Sequence, residues 1–191
     1  MAKQLVADLY GCSGLIDDPE AIKAAAHEAI KYVGANIVEE CVHEFEPIGV
    51  IIVDLPDPNT EVLNKLYSNI FYRMCGGCLK DSGVLVVQST SPYYATKAFW
   101  CINKTIESEG FNVLPYHLEV PAFGDWGFNM ASKGELSEEI SFDVDTRYIS
   151  EDNVVALFKF GKDEEAQDVE INHLTKPVLM EYYNKAEELW D

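Results

Sequence analysis

Two short aliphatic runs, Val50–Val53 and Val84–Val87, constrain this chain more than any other feature. Each follows a glycine, Gly49 or Gly83, and each stops at a polar residue, Asp54 or Gln88. A run this short and this apolar, bounded by turn residues, reads as a strand buried on both faces. Between the runs, Asn59 or Thr60 can start a helix that continues toward Met74, after the Pro56 and Pro58 turn. A helical pattern over Thr96–Glu109 follows and stops at Gly110, and Val113–Val120 reads as a third strand. Gly127–Ala131 reads as a fourth, paired antiparallel. Alternating strands and helices predict an α/β fold with a mainly parallel sheet.

The N-terminal region repeats the pattern. Gln4–Leu9 is a short apolar run, and Asp17 or Asp18 with Pro19 can open a helix that Gly34 closes. Asn36–Phe45 then reads as a strand. The tail from Ser132 is more acidic; Ser150 can cap a short helix over Glu151–Phe158, and Lys176–Leu189 reads as a terminal helix. The chain thus reads as three segments: a strand–helix–strand over 1–49, a half-Rossmann segment over 50–132, and a C-terminal extension over 133–191 packed on it. The whole is an incomplete Rossmann-like sheet with an antiparallel, helical extension.

Composition excludes several classes. Hydrophobic residues are 48% of the 191, which rules out disorder for the bulk of the chain. Fourteen Lys and Arg against 33 Asp and Glu leave a net charge of −19, which repels a phosphate backbone and excludes a nucleic-acid partner. No apolar run reaches the about 18 residues that a bilayer demands, and MAKQLVADLYGC is no signal peptide, so a cytoplasmic protein is expected. The five cysteines are expected to be reduced thiols. Cys75-Gly-Gly-Cys78 has no second cysteine pair and reads as a helix end. His27, His43, His117 and His173 form no spaced ligand set, so no metal is assigned.

The sharpest candidate site is the carboxylate pair Asp54 and Asp57, at the carboxyl end of a strand, where open α/β sheets place ligands. An ammonium must lose a proton before it can attack carbon, and a carboxylate can hold it and take that proton. The alternative is an Asp-Pro turn into a helix. Gln88 ends the next strand on the same rim, and its carbonyl can accept from an ammonium without adding charge. In Tyr10–Gly14, Gly11 and Gly14 make a glycine turn before a helix, and Glu39 lies late in the next strand. Such elements can hold a nucleotide. They also read as a plain turn and a solvated acid.

These residues carry two resemblances. Residues 6–49, with A-D-L-Y-G-C, the Asp17-Asp18 pair and H-x-F-x-P-x-G-V, resemble the start of bacterial S-adenosylmethionine decarboxylase. Residues 50–191 resemble the C-terminal part of spermidine synthase, an aminopropyltransferase. The motifs are VIIVDLPDPN, LNKLYS, FYR, GVLVVQSTSP, AFWCI, GFNVLPYHLEVPAFGDWGF and NHLTKPVLMEYY. The chain thus resembles a fusion of the two. The decarboxylase stretch that yields a pyruvoyl group does not follow Val50, so no covalent cofactor and no decarboxylation are expected. The synthase's G-G-G-D-G donor loop does not precede the VIIVDLPDPN segment either.

The synthase resemblance implies a polyamine-metabolism protein. It makes Asp54 the catalytic proton acceptor and Asp57 and Gln88 diamine-binding groups. Phe123 and Trp126 become aromatic walls over the alkyl chain, suited to cation–π contact. The implied co-substrate is decarboxylated S-adenosylmethionine or S-adenosylmethionine, approached by Gly11, Gly14 and Glu39. Two other readings stay open: a non-catalytic polyamine- or adenosyl-binding partner of a full-length paralogue, and a repurposed enzyme that cleaves S-adenosylmethionine. Open strand edges predict a homo-oligomer through residues 5–53, or pairing with such a paralogue.

Overall fold

The computed structural model describes residues 47–190. The expected elements of residues 1–46, with Gly11, Gly14 and Glu39, lie outside the described residues. The chain divides into two compact units, 1–44 and 45–191, and every described element belongs to the second.

Its elements are β1 (Ile48–Val53), α1 (Glu61–Lys65), α2 (Asn69–Cys78), β2 (Leu79–Gln88), α3 (Thr96–Glu107), β3 (Asn112–Val120), β4 (Gly124–Ser132), α4 (Glu151–Val154) with a 3-10 turn over Val155–Phe158, and α5 (Leu179–Trp190). The sheet order is β1-β2-β4-β3. β1 and β2 run parallel, Val50 beside Val84 and Val53 beside Val87. β4 is antiparallel to both β2 and β3. The α/β class holds, but among the described residues the sheet is mixed, not mainly parallel. The cause is local: β3 and β4 form a hairpin, and its return arm, β4, inserts beside β2.

The expectation that Val50–Val53 is buried on both faces fails. Val53 is buried and Ile51 packs against the core, whereas Val50 and Ile52 are 59% and 64% exposed. Side chains alternate across a strand, and in the described unit the helices cover one face. On that face Leu85, Val87 and Ala131 meet Tyr67, Tyr72, Ile102, Ile106, Leu179 and Tyr183 in a single core.

The helix expected from Asn59 or Thr60 toward Met74 is broken in two. Thr60 caps α1, its hydroxyl accepting from the Leu63 N–H at 3.3 Å. Ser68 then caps α2, accepting from the Phe71 N–H at 3.4 Å. A continuous helix would use the Tyr67 carbonyl for Phe71 and the Asn64 carbonyl for Ser68. Here the buried Asn172 amide donates to both carbonyls, at 3.1 and 3.0 Å. The Asn172 oxygen accepts from the N–H groups of Val178 and Leu179, at 3.0 and 3.3 Å, and so caps α5. One side chain from the tail therefore breaks one helix and starts another.

The carboxyl end of β2 is locked to the amino-terminal half of β4. Ser89 donates its N–H to the Gly127 carbonyl at 2.9 Å, and Gly127 donates to the Thr90 carbonyl at 2.7 Å. Thr90 holds a left-handed φ of 61° to make that approach. A Cβ on Gly127 would lie 2.5 Å from the Phe99 ring and 2.9 Å from the Thr90 oxygen. Beneath this lock, Asn103 donates to Asn129 at 2.7 Å and Asn129 to Ser89 at 2.9 Å, all buried. No helix among the described residues is long and apolar enough to cross a membrane.

Candidate functional site

β1 and β2 run parallel, so their carboxyl ends share a rim and place Asp54 beside Gln88. The open face of β1 and the β3–β4 hairpin enclose a cleft of about 470 Å³ at this rim. Asp54, Gln88, Phe123 and Trp126 all line it, with Ile52 and Tyr116 among the apolar walls. Phe123 and Trp126 face each other with ring centres 5.3 Å apart, and Tyr116 stacks on Phe128 at 5.2 Å. Phe123 is 67% exposed, so it is not core filling. Among the described residues the resulting chamber is apolar and aromatic, with one carboxylate, Asp54, at its end.

Asp57 stands behind the cleft and is held from two sides. One oxygen accepts from the Gln88 amide at 3.0 Å, and the other from the Tyr183 hydroxyl at 3.0 Å. The Gln88 oxygen lies 3.1 Å from the Tyr67 hydroxyl, which also lies 3.2 and 3.1 Å from the carbonyls of Leu55 and Pro56. A phenol has one proton, so it serves these three acceptors in turn and pins the Asp54–Asp57 turn to the α1–α2 turn and to β2. Burial, then the negative charge of Asp57 and Asp54, push the Tyr67 phenol well above its ordinary range. Burial and Asp57 do the same to Tyr183. Both phenols therefore stay protonated as donors.

The geometry refines the sequence reading of these residues. Gln88 lines the cleft, but both ends of its amide are committed to protein partners, so it orients Asp57 and Tyr67. Asp54 has no hydrogen-bond partner among the described residues, which leaves its carboxylate available at the cleft. Tyr67 and Tyr183 lie inside the LNKLYS and EYY motifs, where the sequence reading assigns them no role. A signal is present there: each is a tyrosine in a motif that otherwise supplies helix-face residues. Cys75, in the C-x-x-C stretch, sits within α2, and burial pushes its thiol up to about 12, the opposite of an activated thiolate.

Chemically, a carboxylate at the end of an aromatic channel suits an alkylammonium. The ring faces contact the methylenes and the cation, and the carboxylate takes a proton.

A family model described as the spermine/spermidine synthase domain matches residues 22–143, a match that begins inside the segment resembling the decarboxylase. A polyamine aminopropyltransferase of Oceanobacillus iheyensis is 46% identical over 142 residues, covering 72% of this chain and 28% of that protein. This chain thus spans less than a third of the length of the curated relatives it matches. A crystal structure of spermidine synthase in complex with the transition-state analogue AdoDATO superposes with a TM-score of 0.54 at 23% identity, over 75% of this chain and 56% of that one. The spermidine synthase of Thermotoga maritima gives 0.51 at 24%, over 75% and 55%. These two establish the shared fold, and the family match, over more than half of the chain, shows that the chain belongs to the spermine/spermidine synthase family.

Proposed function

We propose that this chain carries the amine-acceptor half of an aminopropyl transfer. A diamine such as putrescine lies along the Phe123–Trp126 wall with its reacting nitrogen at Asp54. Asp54 takes the proton from the ammonium. The freed nitrogen lone pair forms a C–N bond to the aminopropyl carbon of a sulfonium donor. The C–S bond breaks, and the sulfur leaves as a neutral thioether carrying the electron pair. Asp57 does not take the proton in this reading. Held by Gln88 and Tyr183, it supplies fixed negative charge beside the rim, which favours a dication over a neutral amine.

The observation that carries the reading is the convergence in one cleft of Asp54, Gln88, Phe123 and Trp126. These residues lie up to 72 positions apart in sequence, which Trp126 minus Asp54 gives. The donor, decarboxylated S-adenosylmethionine in the family's chemistry, belongs to the proposal as co-substrate.

Calorimetric titration with putrescine and spermidine tests it. The chain should bind at least one of them. Asp54→Asn should weaken that binding by about 1.5–3 kcal/mol, the range for a hydrogen bond to a charged group. No binding by the parent chain, or equal affinity in the variant, overturns the reading and leaves Asp54–Asp57 as a structural turn.

A further inference from the structure

On the far face of the β3–β4 hairpin, opposite the cleft, His117 lies between three segments. Its Nδ1 is 2.6 Å from Asp125 Oδ1, and its Nε2 is 2.8 Å from the Lys159 carbonyl oxygen. Its ring stacks on Phe160 with centres 4.6 Å apart. Glu164 approaches as well, so that ligand atoms of His117, Asp125 and Glu164 fall within 4.8 Å of one another. This is not a metal set, because both ring nitrogens already face protein oxygens.

Those two contacts define the protonation state. A carboxylate and a backbone carbonyl are acceptors only, and a neutral imidazole has one N–H. A neutral ring would set a lone pair against one of the two oxygens. Only the imidazolium satisfies both. Asp125 depends on that charge: its second oxygen is buried with no partner among the described residues. The other charged groups around the ring are Glu164 of the tail and Glu119 of β3, both acidic; the Lys159 ammonium turns away to Glu138 at 2.9 Å.

Asp125 immediately precedes Trp126, and successive strand residues point to opposite faces. What fixes Asp125 on one side therefore fixes Trp126 on the other. We propose that His117, as an imidazolium, is a positioning residue for the aromatic wall of the cleft, clamping the hairpin to the tail at Asp125 and Lys159. Loss of the proton frees one end of the clamp and loosens the hairpin turn and strand that carry Phe123 and Trp126. Acceptor binding thereby becomes dependent on pH through a group that never touches the ligand.

The test uses the full chain with 5-fluorotryptophan, the Trp126 fluorine signal being assigned by its loss in Trp126→Phe. The Trp126 signal should titrate with a midpoint above the ordinary histidine range, about 6.5, and His117→Gln should abolish that titration. In parallel, nitrogen NMR of the wild-type imidazole should show both nitrogens protonated at pH 6. Should His117→Gln fail to fold, Asp125→Asn serves instead and should bring the midpoint down. A Trp126 titration unchanged in both variants, or a neutral ring at pH 6, overturns the clamp.

A ligand arm rests on the diamine reading. There His117→Gln should weaken putrescine at pH 6 by roughly tenfold, the equivalent of about one charge-assisted hydrogen bond, and the difference should shrink above the titration midpoint. A fluorine titration as expected with no putrescine binding would uphold the clamp and refute the diamine reading. Putrescine binding whose pH profile is the same with and without His117 would refute the clamp alone.

Discussion

Replacing Asn172 by alanine tests the packing logic of the whole unit. The wild-type side chain is fully buried and makes four hydrogen bonds, two as donor to the carbonyls of Asn64 and Tyr67 and two as acceptor from the N–H groups of Val178 and Leu179. The Asn64 carbonyl keeps a partner after the change, because the Tyr67 N–H already donates to it at 3.2 Å. The Tyr67 carbonyl and the two N–H groups at the start of α5 are left without one. At about 1–1.3 kcal/mol for each of these three buried groups, Asn172→Ala should cost about 3–4 kcal/mol. For a chain of this size that lowers the thermal midpoint by about 6–16 °C, read by circular dichroism at fixed pH. Asn172→Asp should show the same loss at neutral pH for a different reason. It keeps an acceptor for Val178 and Leu179 but turns an oxygen toward two carbonyls. Acidification should recover part of that loss, because a protonated carboxyl can donate to one of them. A shift in Asn172→Ala worth less than about 1 kcal/mol would refute the argument and show that water or a helix shift satisfies the same groups.

Three further outcomes are expected. Gly127→Ala should destabilise by about 1–3 kcal/mol in urea, the range for overpacking, because one of the atoms in the way is the Thr90 backbone oxygen; a neutral substitution would refute the close approach. Burial lowers the affinity of His117 for its proton, but the bonds to Lys159 and Asp125 and the charges of Asp125 and Glu164 outweigh it, so the folded value is raised. Its contribution to stability is then complete below about pH 6.5 and disappears as pH rises through the folded value, so the thermal midpoint of wild type should fall relative to His117→Gln across that window. Cys75 and Cys101, both pushed up to about 12 by burial, should resist iodoacetamide at pH 7 in the native protein and react on unfolding, as intact mass would show.

Strand positions within residues 47–190 were legible because the signals were local. Gly110 ends α3 where expected, and β1, α3 and β3 fall where the apolar runs fall, whereas β2 begins at Leu79 and carries Gly83 inside it. The same runs misled on burial. Val50 and Ile52 are as apolar as Ile51 and Val53, and only the placement of α2, α3 and α5 on one side decides which pair is covered. The break between α1 and α2 carries a visible mark, Ser68, but its cause is Asn172, more than a hundred residues away. The rim was legible at Asp54, Asp57, Gln88, Phe123 and Trp126 through motif content. Tyr67 and Tyr183 were not, because nothing in a linear reading says that a tyrosine in the α1–α2 turn meets Gln88 while one on α5 meets Asp57. The His117–Asp125 contact was hidden for a related reason: it is diagonal across a hairpin, and its third member comes from the tail.

The bond between Tyr183 and Asp57 joins residues 126 apart. A ribosome adding 5–20 residues each second takes roughly 6–25 s to cover that distance. During that interval Asp57 has been made and the phenol that binds its second oxygen has not. The rim is thus begun at Asp54 and completed only at Tyr183, and its final piece is a helix from the far end of the described unit. A chain interrupted before α5 would present the acidic turn without the phenol that restrains it, so conformational integrity of the rim reports on whether synthesis ran past residue 183.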